Sequence, residues 1–136
     1  MNTIPFCLKG SRGQDIILIA TEDIVWPTYL IEHFPHCCGA GEGIGDLLVP
    51  ESVFGVIVSA ACFIHDFMWE QMTPSWEYFH AANSIFRTNM TSIINSESGN
   101  CLSRKLRMIR IMEYYEAVDH VGAIIFWSQA KRKWLI

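Results

Sequence analysis

His65 and Asp66 sit side by side at the end of an otherwise apolar stretch, and their types suit chemistry better than any other pair in the chain. An imidazole changes charge near neutral pH and can act as a general base. Successive residues on a helix point about 100° apart, so the two side chains divide the work. On this reading His65 handles a proton while Asp66 holds a cation. A hard cation such as calcium takes carboxylate oxygens together with backbone carbonyls. The stretch between Pro35 and Pro50 is dense in glycine, and Gly39, Gly41 and Gly43 can present carbonyls freely. Those three glycines with Asp66 form the candidate calcium set, and His65 with Asn83 the candidate catalytic pair.

Positioning these residues requires a mainly helical α+β fold, with short N-terminal strands and a glycine-rich loop ahead of three long helices. Asp15 to Ala20 is short, apolar and β-branched, which reads as a buried strand. Ile24-Val25-Trp26 reads as a second extended piece stopped by Pro27. From Pro50 the pattern turns helical and continues to Trp69. Thr73-Pro74 breaks the chain, with Thr73 as N-cap of a second helix reaching about Ile94. Phe79, Asn83, Phe86 and Met90 recur on one face of it. A third helix is expected from near Ser103 to about Ser128, with Gly122 a weak point. The first two helices form an antiparallel hairpin, and His65 and Asn83 lie at similar heights on either side of its turn. The Asn83 amide is thereby placed to meet one imidazole nitrogen. The 136 residues fit one domain, with 1–50 extended or looped and 51–136 helical.

The run Ala60-Ala61-Cys62-Phe63-Ile64-His65-Asp66-Phe67-Met68-Trp69 resembles the histidine-aspartate helix of phospholipase A2-like proteins. Cys38-Gly39-Ala40-Gly41-Glu42-Gly43 is similar to that family's calcium loop, and Ala81 to Phe86 to its later segment. The resemblance implies calcium-dependent ester hydrolysis, with the histidine activating water and an aspartate orienting it. Asn83 stands where that aspartate is expected, and Trp69 where a tyrosine is usual. The gap from Cys38 to His65 is longer than in secreted phospholipases, and their disulfide pattern is missing. A second resemblance covers residues 46 to 122 and is the closer one. Asp46 to Pro50, His65-Asp66-Phe67, Ala82 to Phe86 and Tyr115 to Gly122 are similar to small phage and prophage proteins without an established activity. It implies a phage structural or interaction protein, possible partners being other phage structural proteins.

Three readings therefore compete. One is a phospholipase A2-like lipid hydrolase acting at a membrane surface. Another is a non-catalytic protein in which His65-Asp66 is a buried polar tether between helices. The third is a metal-dependent phosphohydrolase with His33 or His36, His65-Asp66 and Asp119 as ligands. His33-Phe34-Pro35-His36-Cys37-Cys38 lacks the paired spacing of a zinc site and reads as a loop.

Hydrophobic residues make up 51% of the chain, which excludes a disordered polymer. A net charge of −4 argues against general nucleic-acid binding. The basic run Arg104-Lys105-Leu106-Arg107-Met108-Ile109-Arg110 reads as a solvated face, or as a site of attraction for phosphate headgroups. Trp76 is expected exposed near the mouth of the site, with the other tryptophans in the core. The longest apolar run, Val53 to Ile64, falls short of the roughly 20 residues a membrane span needs. No secretion signal is read at the N-terminus, and five cysteines without a framework spacing suggest reduced thiols. The chain is accordingly expected in the cytoplasm as synthesised, or associated with a virion.

Overall fold

The computed structural model describes residues 2–10, 12–26, 52–53, 56–72, 75–97, 99–124 and 126–127. Strands β1 (Thr3–Lys9) and β2 (Asp15–Thr21) pair antiparallel, with Phe6 opposite Leu18 and Lys9 opposite Asp15. The turn between them closes through Gly13 N–H donating to Gly10 O at 3.0 Å and Gly10 N–H to Gln14 O at 2.8 Å. Gly13 sits at φ +79°, where a side chain would be strained. Lys9 and Asp15 form an ion pair across the ladder beside this turn.

The expected buried strand is half-buried instead. Ile16, Leu18 and Ala20 face the core while Ile17 stands in solvent, as the two-residue period of a strand requires. Its partner is β1, and the second extended piece expected downstream is not a strand. Ile24-Val25-Trp26 follows a turn and lies in no strand, Val25 is almost fully exposed, and the Trp26 indole N–H donates to Thr21 O at 2.8 Å. Strand β1 carries its own signal in the alternation of Ile4, Phe6 and Leu8, with Pro5 the residue that disguises it.

The helix expected from Pro50 begins nine residues later. Ser52–Val53 (β3) and Val56–Ile57 (β4) form a minimal antiparallel pair, and α1 then spans Ser59–Gln71. Val53, Val56, Ile57 and Val58 are β-branched, which lowers helix propensity enough for an extended turn to win. Helix α2 covers Trp76–Ser96, capped by Ser75 rather than Thr73: the Ser75 hydroxyl accepts from Tyr78 N–H at 3.0 Å. Thr73 and Pro74 lie outside the described residues. Helix α3 covers Cys101–His120, with Asn100 accepting from Ser103 N–H at 2.8 Å. It ends eight residues before the expected Ser128. Residues 122–124 and 126–127 are helical again after a turn at Val121.

Trp69 meets Phe79, while His65 meets Asn83 and Phe86, so one index rises as the other falls and α1 and α2 run antiparallel. Arg87 over the Tyr115 ring and Asn83 against Asp119 give the same sense for α2 and α3. Helix α2 is thus central, with α1, α3 and the β1–β2 hairpin against it. One core joins them, including Leu18, Ile64, Met68, Phe79, Phe86, Met90 and Ile111. No helix among the described residues is long and apolar enough to cross a membrane.

Asn89 ties the hairpin to α2. Its side-chain oxygen accepts from Ile19 N–H and its amide donates to Ile19 O, both at 2.8 Å, so it copies a neighbouring strand. Ile19 faces Pro5 in the register. With Ile19's backbone groups turned away toward Asn89, Pro5 is not asked for the N–H it lacks. Asn89 is fully buried, and cutting it back strands both Ile19 groups. Asn89→Leu is expected to cost about 2–4 kcal/mol in urea unfolding, from two unmade buried hydrogen bonds. Asn89→Gln, with the same amide misplaced, should recover little of it.

Among the cysteines, Cys7 and Cys101 are free thiols, as expected. Cys62 is disulfide-bonded, to a residue outside the described ones, and corrects the expectation of reduced thiols throughout. An odd count leaves a thiol over without preventing a pair.

Candidate functional site

His65 lies on the inner face of α1 because residues 61, 64, 65, 68 and 69 share that face, and all five are buried. Its ring is held between Trp69, at 4.2 Å between centroids, and Phe86, stacked at 4.6 Å. Only 3% of the residue is exposed. Phe79 and Phe126 continue the aromatic layer beyond Trp69.

Polar contacts leave this layer in a defined order. His65 Nε2 is 2.7 Å from Asn83 Oδ1, Asn83 Nδ2 donates to Asp119 Oδ1 at 3.2 Å, and His80 Nδ1 is 2.9 Å from the same Oδ1. The sequence-predicted contact between Asn83 and an imidazole nitrogen is therefore present. Asp119 and His80, which the sequence does not join to His65 and Asn83, extend this chain of contacts.

Asp119 carries the logic. Burial alone would raise its pKa, but the hydrogen bonds from Asn83 and His80, with the charges of His80 and His120, outweigh it and hold the carboxyl below its ordinary value of 3.8. An ionised carboxylate only accepts, so Asn83 must turn its NH2 to Asp119 and its oxygen to His65. That oxygen in turn can only accept, so His65 Nε2 must carry the proton. In neutral His65 the lone pair is left on Nδ1.

His65 Nδ1 faces the Asp66 side, with Asp66 Oδ1 at 3.7 Å. The two side chains leave the helix in different directions but converge at their tips. This separation exceeds a hydrogen bond and lies within ion-pair range. Asp66 is partly exposed, with 22% of its side chain accessible, and its oxygens are hard donors of the type calcium prefers. Gly39, Gly41 and Gly43 lie outside the described residues, as do His33, His36, Cys37 and Cys38. Among the described residues no three His, Cys, Asp or Glu side chains are grouped to hold a metal. Asp119, a ligand under the phosphohydrolase reading, is separated from His65 by Asn83 and spends its contacts on Asn83 and His80.

Trp69, standing where the resemblance expects a tyrosine, serves as a plate. Its indole N–H finds no acceptor among the described residues. Just after α3 the backbone passes close to this indole at Gly122. A Cβ at Gly122 would lie 2.7 Å from Trp69 Cη2, so only glycine lets the backbone close over the indole. Trp76 is exposed, as expected, stacks on His80 with centroids 5.9 Å apart, and meets Trp127 in a tilted contact at 5.3 Å. It thereby covers the outer end of the Asp119 network.

No family model, curated protein or solved structure matches the chain.

Because the folded Asp119 pKa lies below its ordinary value, its stabilising contribution is present above about pH 3.8 and is lost as pH falls through the folded value. Wild type is expected to exceed Asp119→Asn in stability between about pH 5 and 7, with the gap closing below about pH 4. Urea unfolding across that range reads it. A gap that persists undiminished at acid pH would show that the charge is not what Asn83 and His80 recognise.

Proposed function

We propose that the chain is a calcium-dependent, phospholipase A2-like ester hydrolase with His65 Nδ1 as its general base. The observation that carries this reading is the order His65–Asn83–Asp119, which leaves the imidazole lone pair on the nitrogen facing Asp66. Asn83 in place of an aspartate is the main departure from the family pattern. In a serine protease, exchanging the orienting aspartate for asparagine costs about four orders of magnitude, because the amide then selects the wrong tautomer. Asp119 removes that fault by holding the Asn83 NH2, so the amide presents its oxygen.

In this reading Nδ1 takes a proton from a water as the water oxygen attacks the ester carbonyl, and the imidazolium then gives that proton to the leaving alcohol. Asn83 Oδ1 accepts from Nε2–H throughout, and Trp69 and Phe86 hold the ring between them. Asp66 would hold calcium, with carbonyls of Gly39, Gly41 and Gly43 as the further ligands the sequence offers, and the ion would supply positive charge to the ester carbonyl. His80 keeps Asp119 ionised and in place.

The test is hydrolysis of phospholipid in mixed micelles with and without calcium. Turnover is expected to need millimolar calcium and to fall by at least about 100-fold in His65→Ala, the scale of a lost general base. Asp119→Asn should lower kcat with little change in KM, since it acts through the imidazole. Calcium should also raise the melting temperature of wild type and not of Asp66→Asn. No turnover together with no calcium shift overturns the proposal.

One observation favours a second reading, a phage-type structural protein without catalysis. His65 is almost wholly enclosed, and the network from it spans α1, α2 and α3. Under that reading His65→Ala lowers stability and assembly, and wild type shows no turnover to lose.

A further inference from the structure

Helix α3 carries large aliphatic side chains on the side away from the core. Ile111 is its fully buried contact, yet Leu102, Leu106 and Ile109 are 66%, 40% and 55% exposed. At 100° per residue these three fall within about 60° of arc, opposite Ile111. The core therefore does not account for them, and a contiguous apolar stripe on an outer face marks an interaction surface.

Charge says what it meets. Residues 99–112 hold Arg104, Lys105, Arg107 and Arg110 and no acidic residue, in a chain whose net charge is −4. The remainder thus carries −4 − 4 = −8. Lys105 and Arg110 flank the stripe at about 40° from Ile109 and Leu106, while Arg104 lies farther round the helix. Arg110 pairs with Glu113 at 2.9 Å, at the C-terminal end of the stripe. Beside the stripe runs an open groove of about 630 Å³, lined by Gly99, Cys101, Arg104, Lys105, Met108 and Ile109. Its walls are mostly apolar, with Arg104 and Lys105 supplying the charge.

We propose that this face of α3 docks on a bilayer containing anionic phospholipid. An apolar stripe edged by a basic side chain, in a chain otherwise rich in negative charge, complements an anionic lipid surface. Leu102, Leu106 and Ile109 enter the acyl boundary, while the long stem of Lys105 at the stripe's edge lets its charge reach the phosphate layer, and Arg104 lines the adjoining groove. The groove takes a headgroup phosphate at Arg104 and Lys105 and the start of an acyl chain over Met108 and Ile109. This goes beyond the hydrolase reading and does not rest on it, because docking is measured without turnover.

The full chain is sedimented with phosphatidylcholine vesicles, with or without phosphatidylserine, at low and high salt. Binding is expected to the serine-containing vesicles only, and to weaken as salt rises. Near a membrane each cation contributes about five-fold in affinity, so Arg104→Ala with Lys105→Ala should weaken binding by roughly twenty-fold. Leu106→Ser with Ile109→Ser should weaken it at least as much. All four positions are exposed, and an unchanged melting temperature confirms that the variants fold. Equal binding to neutral vesicles, no binding at low salt, or binding indifferent to these substitutions overturns the proposal. So does self-association that Leu106→Ser with Ile109→Ser abolishes, which would assign the stripe to a second copy of the chain.

Discussion

The negative charge on Asp119 is the constraint on which the arrangement around His65 depends. A carboxylate offers only lone pairs, so whatever touches it must give a hydrogen. That single requirement orients the Asn83 amide, and the amide in turn settles which imidazole nitrogen keeps its proton. Three helices contribute one member each, so the order of charges also fixes how α1, α2 and α3 are set against one another. His80, a fourth member from α2, holds the same oxygen from the solvent side and is itself covered by Trp76.

Helix α2 shows how a buried polar residue can serve an apolar core. Both of its enclosed asparagines are fully buried, and they face different neighbours: Asn83 bridges α1 and α3, while Asn89 continues the β1–β2 ladder. An unpaired amide in such a place would cost about as much as the core gains from a large aliphatic residue. Each amide has its oxygen and its nitrogen paired, so the cost is offset and the geometry is specified. The aromatic layer of Trp69, Phe79, Phe86 and Phe126 then packs around the His65 ring, and Gly122 allows the chain after α3 to close on it.

Much of this was legible in the sequence, for reasons that vary by element. The mainly helical α+β class, the α1–α2 hairpin and the meeting of His65 with Asn83 follow from spacing, because helical rise fixes which residues are level across a turn. The start of α1 was not legible, since an apolar run of β-branched residues fits a short strand pair and a helix equally well. Strand β1 was hidden by Pro5, whose missing N–H is harmless only because Asn89 takes the backbone groups of Ile19. Asp119 had been weighed only as a metal ligand. Its place behind Asn83 depends on the register of α3 against α2, which no local pattern states, although its position on the face shared with Tyr115 offered a hint. The disulfide at Cys62 is likewise invisible to a count of five.

The most direct test of the account is the protonation pattern of the His65 ring, read by long-range proton–nitrogen correlation on protein labelled with nitrogen-15 at histidine. The account predicts that neutral His65 carries its proton on Nε2, with Nδ1 giving the signal of an unprotonated nitrogen. A neutral ring with the proton on Nδ1 would contradict it, since Asn83 would then be presenting its NH2 and the Asp119 charge would not be setting the site.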